Sequence, residues 1–265
     1  MPELPEVQTV VSGLQQRVLG KQISELIEHR AGTIIWHCTD VDFGRISAIE
    51  RRGKYIIIIL DNALKIVVHL RMTGKLIYET EPGKISSHAR AEILFADDSK
   101  LIFDDVRTFG KIEVAAEDYQ VAALARLGVE PLSADFTAEY LQAKLLRRQA
   151  PIKNLLLDQA VIAGIGNIYA AEILFRIGMN PTKAANLLNR AELQQLVQAT
   201  KQVLSEALQH NGTTISDYRS VEDKSGEFQN FLNVYGKEFC SCGAKIQRIK
   251  QAGRTTFYCE ACQPK

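Results

Sequence analysis

The sequence predicts an α+β protein in which a strand-rich part is followed by a helical part and a cysteine-bearing end. Three observations predict it. Between about residues 45 and 115, short β-branched runs alternate with Gly, Asp, Asn and Ser. Beyond 135 the apolar period becomes helical. The chain then closes on two near pairs, Cys240/Cys242 and Cys259/Cys262. In order along the chain, residues 3–19 form a helix, because Val7, Val10, Val11, Leu14 and Val18 share one face and Gly20 supplies a stop. Runs 55–60, 64–70, 91–95 and 100–103 are strands, and Asp61-Asn62 and Asp97-Asp98-Ser99 are two of their turns. Residues 127–135, with Gly128, Pro131 and Ser133, read as a linker. Asn189 and Glu192 make a capping-box signature that opens a helix carrying Leu193, Leu196, Val197, Val203, Leu204 and Leu208, stopped by His210-Asn211-Gly212. Two more helical segments flank Ala163-Gly164-Ile165-Gly166-Asn167, and the polar stretch 216–228 has little to contribute to a core.

A chain of 265 residues can hold two domains, or one with an appendage. Its longest unbroken apolar run, 55–60, is far short of the ~20 residues a membrane helix needs. The acidic, proline-bearing start Met1-Pro2-Glu3-Leu4-Pro5-Glu6 is unlike a signal peptide, so the expected location is cytoplasmic. A net charge of +1 says little about partners, but the distribution says more. The last thirty residues hold six basic side chains against two acidic ones, enough for a local phosphate-binding surface. With no secretory signal, the two cysteine pairs point to a metal site rather than a disulfide framework. Cys38, standing apart, reads as a small buried hydrophobe.

The start of the chain carries the most specific chemistry. Removal of Met1 exposes Pro2 as a secondary amine, which can form an iminium with an aldehydic carbon. An ordinary α-amino group titrates near ~7.7–8.0. A helix N-terminus disfavours the ammonium and so offsets proline's greater basicity. Glu3 and Glu6 lie in the same first turn, where they can accept or donate a proton. As local structure alone, Pro2 starts a helix and the glutamates complement its dipole.

The opening Pro2-Glu3-Leu4-Pro5-Glu6-Val7 is followed in order by Arg52-Gly53-Lys54-Tyr55, His69-Leu70-Arg71-Met72-Thr73-Gly74, Asp105-Val106-Arg107-Thr108-Phe109-Gly110, Gly164-Ile165-Gly166-Asn167-Ile168-Tyr169 and Val234-Tyr235-Gly236. Over essentially its whole length the chain resembles the formamidopyrimidine-DNA glycosylase family. The resemblance implies an N-terminal β-sandwich domain (1–130) with its N-terminal helix. It further implies a helix–two-turns–helix domain (131–228) with a lesion-capping loop at 216–228, and a terminal β-hairpin zinc finger (229–265). It also implies a monomeric bifunctional DNA glycosylase and AP lyase acting on damaged double-stranded DNA. Oxidised purines such as 8-oxoguanine and formamidopyrimidines would leave through a Schiff base at Pro2, followed by β,δ-elimination.

By the same resemblance Glu3 shuttles protons, Glu6 stands beside it, and Lys54 and Lys153 assist. His69 and Arg71, two apart at a strand end, point to one face. The resemblance gives them to DNA, with His69 on a phosphate, and it adds Asn167, Tyr235 and Arg254 as backbone contacts. An enzyme that works on a base must take it out of the stack, leaving a hole and a widowed partner. The resemblance implies that Met72 fills the space, Arg107 bonds to the opposite cytosine, and Phe109 wedges beside it. Leu4 favours this family over the related endonuclease VIII type, which takes oxidised pyrimidines and has glycine there. A non-catalytic damaged-DNA-binding protein stays open if Met1 is retained. The cysteines depart from the family's C-x2-C pairs, because Cys240-Ser241-Cys242 is one residue short and no histidine follows His210. One tetrahedral zinc is still expected on Cys240, Cys242, Cys259 and Cys262. Its affinity is expected to be reduced by the loss of turn amides that bond to thiolates. Gln8 stands where the family often has glutamate, and Ser87-His88-Ala89-Arg90 where it often has Lys-His-x-His.

Overall fold

A computed structural model describes residues 1–39, 41–81, 86–213 and 226–265. The chain forms two compact units, one of residues 1–125 with 210–227, the other of 126–209 with 228–265.

Among the described residues of the first unit, helix α1 (Leu4–Val18) precedes nine strands: β1 (Ile23–Glu28), β2 (Ile34–Trp36), β3 (Ile46–Arg52), β4 (Tyr55–Leu60), β5 (Leu64–His69), β6 (Lys75–Glu79), β7 (Ala89–Phe95), β8 (Lys100–Asp104) and β9 (Lys111–Ala116). They build a five-stranded sheet in the order β2-β9-β5-β4-β3 and a four-stranded sheet in the order β1-β7-β8-β6. One core joins both sheets to the helix. Val7, Val10, Val11, Leu14 and Val18 bury the apolar stripe of α1 among Ile56, Ile58 and Leu60 of one sheet and Ile93 and Phe103 of the other. Each such side chain contributes about 1.5–3 kcal/mol when fully buried. In β4 alternate residues are buried, which fixes its register with β3 and β5.

A short helix, α2 (Ala122–Ala125), ends the first stretch of the first unit, and the second unit carries the short helices α3 (Ala138–Leu145) and α4 (Ile152–Leu156), then α5 (Asn167–Arg176) and α6 (Arg190–Gln209), and the hairpin β10 (Gln247–Gln251) with β11 (Arg254–Tyr258). The capping box holds as expected. The Asn189 N–H donates to the Glu192 carboxylate, and the Glu192 N–H to the Asn189 side chain, both at 3.0 Å. Asn211 and Gly212, both with positive φ, end the helix as expected. The β10–β11 turn places Ala252 and Gly253 at φ 46° and 73°, as a two-residue hairpin loop requires.

Two expectations differ from the structure. The sheet region begins at residue 23 rather than near 45, because β1 pairs with β7 and β2 pairs parallel with β9, partners far away in sequence. Residues 127–130 are not a free linker either. The Gly128 N–H bonds to the Gln159 carbonyl at 2.8 Å, and the Ala163 N–H to the Val129 carbonyl at 2.9 Å. A Cβ at Gly128 would lie 2.3 Å from the Val161 carbonyl oxygen, so only glycine fits that approach.

Candidate functional site

The first-turn carboxylates are buried, and Pro2 with them. Glu3 caps α1, and its main-chain N–H donates to Glu6 Oε2 at 2.8 Å. The other oxygen, Glu6 Oε1, accepts the Thr213 N–H at 2.7 Å. Glu6 is therefore a clamp that ties the start of α1 to the segment just before 214–225. A Cβ on Gly212 would meet Glu6 Oε1 at 2.6 Å, so this approach also needs glycine. Most of the expected lesion-capping loop, residues 216–225, lies outside the described residues.

Lys54 sits at the β3–β4 turn and is 4% exposed, unlike the solvated lysine such a turn usually carries. Gly53 takes φ 56° there, and Arg51 spans the turn by donating to the Gly53 carbonyl at 3.1 Å and to Gln8 Oε1 at 3.0 Å. The neutral amide of Gln8 therefore serves as an acceptor where the family often has a carboxylate.

His69 is buried beneath the edge of the Tyr55 ring, 4.4 Å between centroids. Burial first, then the positive charges of Arg71 and Lys54, push its pKa from 6.5 down to about 3. Its Nδ1 accepts the Arg71 N–H at 2.9 Å, which leaves the proton on Nε2. In the DNA-free protein His69 thus presents a neutral N–H donor rather than a cation. Between pH 6.5 and about 3 the unfolded chain binds a proton here that the folded chain does not. This group therefore destabilises the fold as pH falls through that window and is neutral above it. In a proton NMR titration the His69 ring signals are expected to stay flat from pH 8 down to about 4. A midpoint near 6.5 would contradict the burial of the ring.

Two turns at one end of the sandwich carry the residues expected to fill the helix and read the opposite base. One joins β5 to β6 and the other β8 to β9, so each crosses from one sheet to the other. The registers His69↔Lys111 and Lys75↔Asp104 bring them side by side. Met72 on the first turn is 39% exposed, and Val106 and Phe109 on the second are 53% and 52% exposed. Arg107 holds its guanidinium 5.0 Å from the Phe109 ring. Arg71 and Thr108 take φ 55° and 60°, a strain of about 1–2 kcal/mol each for a residue with a Cβ.

Asp105, fully buried, holds the two turns together, a part that nothing in its sequence neighbourhood announces. Its Oδ1 accepts the Thr73 hydroxyl and the Arg107 N–H (3.2 Å), and its Oδ2 accepts the Gly110 N–H (2.8 Å). The Thr73 oxygen accepts the Arg107 N–H in turn, at 3.0 Å. Arg90 donates to the Asp105 carbonyl at 2.8 Å, and the Asp105 N–H donates to the His88 carbonyl at 2.9 Å. This gives Arg90, the departure from the Lys-His-x-His pattern, a definite structural part.

In the second unit Lys153 is fully buried, and its ammonium donates to Asn167 Oδ1 at 2.6 Å and to the Thr256 hydroxyl oxygen at 2.7 Å. The Thr256 hydroxyl donates to Gln251 Oε1 at 2.7 Å, and Asn167 Nδ2 donates to the Thr255 carbonyl at 2.9 Å. Lys153 thus fastens the start of α5 to the terminal hairpin. Around the glycines before α5, the Gln159 side chain accepts the Gly164 N–H (2.9 Å) and donates to the Ile165 carbonyl (2.8 Å). Glu172, also unmarked in the sequence, accepts three successive main-chain N–H groups, from Asn233, Val234 and Tyr235, at 2.8–3.0 Å. It shapes the turn that carries Tyr235, whose ring packs 5.0 Å from Phe257. Arg254 stands exposed where the hairpin turns into β11.

All four sulfurs of Cys240, Cys242, Cys259 and Cys262 lie within 4.8 Å of one another. The Cys240–Cys262 and Cys242–Cys259 separations are 3.8 and 3.6 Å, too long for disulfides. Zn–S bonds of about 2.3 Å in a tetrahedron require S···S edges of about 3.8 Å. The donor set therefore fits one zinc, and the shortened pair still delivers both sulfurs. Cys240 and Cys259 are buried while Cys242 is exposed. Cys38 is half-buried against the sandwich core, its thiol 3.9 Å from the Val114 carbonyl.

Comparison with known proteins adds an independent line. Three family models match in order: the formamidopyrimidine-DNA glycosylase N-terminal domain over residues 1–112, the formamidopyrimidine-DNA glycosylase H2TH domain over 127–219, and the zinc finger found in FPG and IleRS over 241–265. The last match begins one residue after Cys240, at the shortened pair. A formamidopyrimidine-DNA glycosylase from Desulfitobacterium hafniense (strain DSM 10664 / DCB-2) is 39% identical over 99% of this chain and its own full length. One from Syntrophomonas wolfei is 41% identical over the same shares. Among solved structures, a Lactococcus lactis FPG mutant bound to a Fapy-dG containing DNA is similar with a TM-score of 0.92 and 35% identity, covering all of both chains. The MutM (FPG) protein of Thermus thermophilus gives 0.90 and 37%, covering 99% of this chain and 98% of that one.

Proposed function

From its membership of the formamidopyrimidine-DNA glycosylase family, to which this chain belongs, we propose that it excises oxidised purines from duplex DNA through the Pro2 nitrogen and then cuts the strand. The protein is a DNA glycosylase of base-excision repair that binds damaged duplex DNA and holds a structural zinc. No helix among the described residues is long and apolar enough to cross a membrane. A cytoplasmic location and monomeric action belong to the same proposal.

Once Met1 is gone, the Pro2 lone pair attacks C1′ of the damaged nucleotide. The bond from C1′ to the base breaks, and the base leaves with that electron pair and a proton. Opening of the sugar gives an iminium that acidifies the C2′ hydrogens. Loss of one of them expels the 3′ phosphate, and a second elimination expels the 5′ phosphate. Glu3 is the proton carrier and Glu6 holds it in place. Lys54, with His69 and Arg71, supplies positive charge and donors for the flanking phosphates, and Asn167, Tyr235 and Arg254 extend that contact. Lys153 acts on the DNA through Asn167, which it orients.

One observation carries most weight: Pro2 is buried immediately before the Glu3 cap of α1, where the helix dipole favours a neutral amine over an ammonium. A second reading, toward oxidised pyrimidines, is favoured by one relative, the wild-type Lactococcus lactis FPG, solved with an oxidized pyrimidine containing DNA. Duplexes containing 8-oxoguanine or thymine glycol separate the two. Cleavage of the purine lesion is expected to be faster by about ten-fold or more. Equal or reversed rates would assign the chain to pyrimidine damage, and binding without cleavage of either would leave a damage-binding protein.

A further inference from the structure

Fill-in by Met72 and recognition by Arg107 must happen together, because a base that has left the stack leaves both a hole and an unpaired partner. These residues stand on separate crossovers between the two sheets, and nothing in the sequence requires the crossovers to move as one. The structure joins them through a single buried carboxylate. Asp105 takes the hydroxyl of Thr73 from the Met72 turn and two N–H groups, of Arg107 and Gly110, from its own turn. Thr73 closes the ring by accepting the Arg107 N–H. The fit has no slack on the far side, since a Cβ on Gly110 would come within 2.4 Å of Phe103 Cζ and 3.1 Å of Asp105 Oδ2. Both carboxylate oxygens are acceptors matched to donors, so the site is intolerant of an amide: an asparagine would turn an NH2 donor toward N–H or O–H donors.

We propose that Thr73 and Asp105 are positioning residues that lock the Met72 and Arg107–Phe109 turns into one rigid wedge, and that this lock sets how strongly the enzyme discriminates the base opposite the lesion. Neither residue touches DNA in this scheme. Thr73 decides whether the two turns are coupled, and Asp105 decides the direction of the Arg107 main chain. The proposal rests on the glycosylase reading above, so its test needs a substrate that reports the chemistry without the wedge.

The full chain with its zinc is compared with Thr73→Val, Thr73→Ser and Asp105→Asn. Single-turnover excision is measured on 8-oxoguanine opposite cytosine and opposite adenine, alongside borohydride trapping on a pre-formed abasic site in single-stranded DNA. Thr73→Val, which removes both the bond to Asp105 and the acceptor for the Arg107 N–H, is expected to slow excision opposite cytosine by about ten-fold and to shrink the cytosine-to-adenine ratio by a similar factor. Thr73→Ser, which keeps the hydroxyl, is expected to restore both, and single-strand trapping should stay within about two-fold throughout. Asp105→Asn should repeat the Thr73→Val result more strongly. Should it fail to fold, the Thr73 pair carries the test alone. An unchanged ratio in folded Thr73→Val, or a loss that falls equally on the single-stranded substrate and is not recovered by serine, overturns the lock. Failure of the unsubstituted protein to trap the abasic site would instead sink the glycosylase reading.

Discussion

Protein that retains Met1 is expected to lose borohydride-trappable adduct on 8-oxoguanine duplex DNA by at least ~10³-fold, the scale on which removing a covalent nucleophile acts. The reason is electronic. In a Met1–Pro2 peptide bond the proline nitrogen is a tertiary amide, and its lone pair is delocalised into the carbonyl. DNA binding by the rest of the protein should persist, because the residues proposed to contact phosphate are untouched. Pro2→Gly is a milder change once Met1 has been removed. It leaves an amine but frees it from the ring, so a loss of about 10²-fold is expected from misplacement. Adding Glu3→Gln then removes the proton carrier and should bring the adduct close to background. Intact-mass measurement beside the trapping assay ties each result to the actual N-terminus. An undiminished adduct from the double variant would falsify the role given to Pro2.

Zinc removal is expected to have the second large effect. Around the four sulfurs the packed core is small: Ala171, Val234 and Ile246 are buried there besides Cys240 and Cys259. Phe175, Tyr235, Ala244 and Phe257 pack against it half-buried, and structural zinc in finger peptides supplies apparent binding energies of about 10–16 kcal/mol, the larger part of what holds so small a core. Chelation or Cys259→Ser should therefore loosen β10 and β11. Arg254 would lose its place, and Thr256 would release Lys153 and with it Asn167. Duplex affinity is expected to fall by about 100-fold, with a shallower dependence on salt because phosphate contacts are lost. The α1–sandwich unit should keep its own cooperative unfolding. Elemental analysis should find one zinc per chain. Inserting one glycine between Ser241 and Cys242 restores the regular pair spacing and should tighten zinc by roughly ten-fold. If chelation leaves affinity unchanged, the hairpin does not depend on the metal.

Features that depend on close neighbours were legible in the sequence. Helix α1 followed from its apolar spacing, α6 from its capping box, the strands β4, β5, β7 and β8 from composition, and the zinc ligands from four cysteines in two near pairs. The order of motifs and their resemblance to a family pointed to the Pro2 amine as the proposed nucleophile. Residues whose meaning is a long-range contact were not legible. Strands β1 and β2 are strands because of partners about 65 to 80 residues away. Glu172 looks like an ordinary helix residue until three amides some sixty positions later converge on it. Lys54, singled out by the resemblance alone, is buried at its turn, which the turn sequence does not announce.

By itself, then, the sequence determined the α+β order, the cysteine ligands and the chemistry available at Pro2, because each is set by side-chain type and short spacing. Only the tertiary structure decided which polar groups are committed and to what. Glu6 became a clamp, Lys153 a buried fastener, His69 a neutral donor, and Asp105 the joint between two turns. The physical reason is common to all four: burying a charged or polar group costs free energy unless partners meet it, and those partners come from elements that only folding brings together.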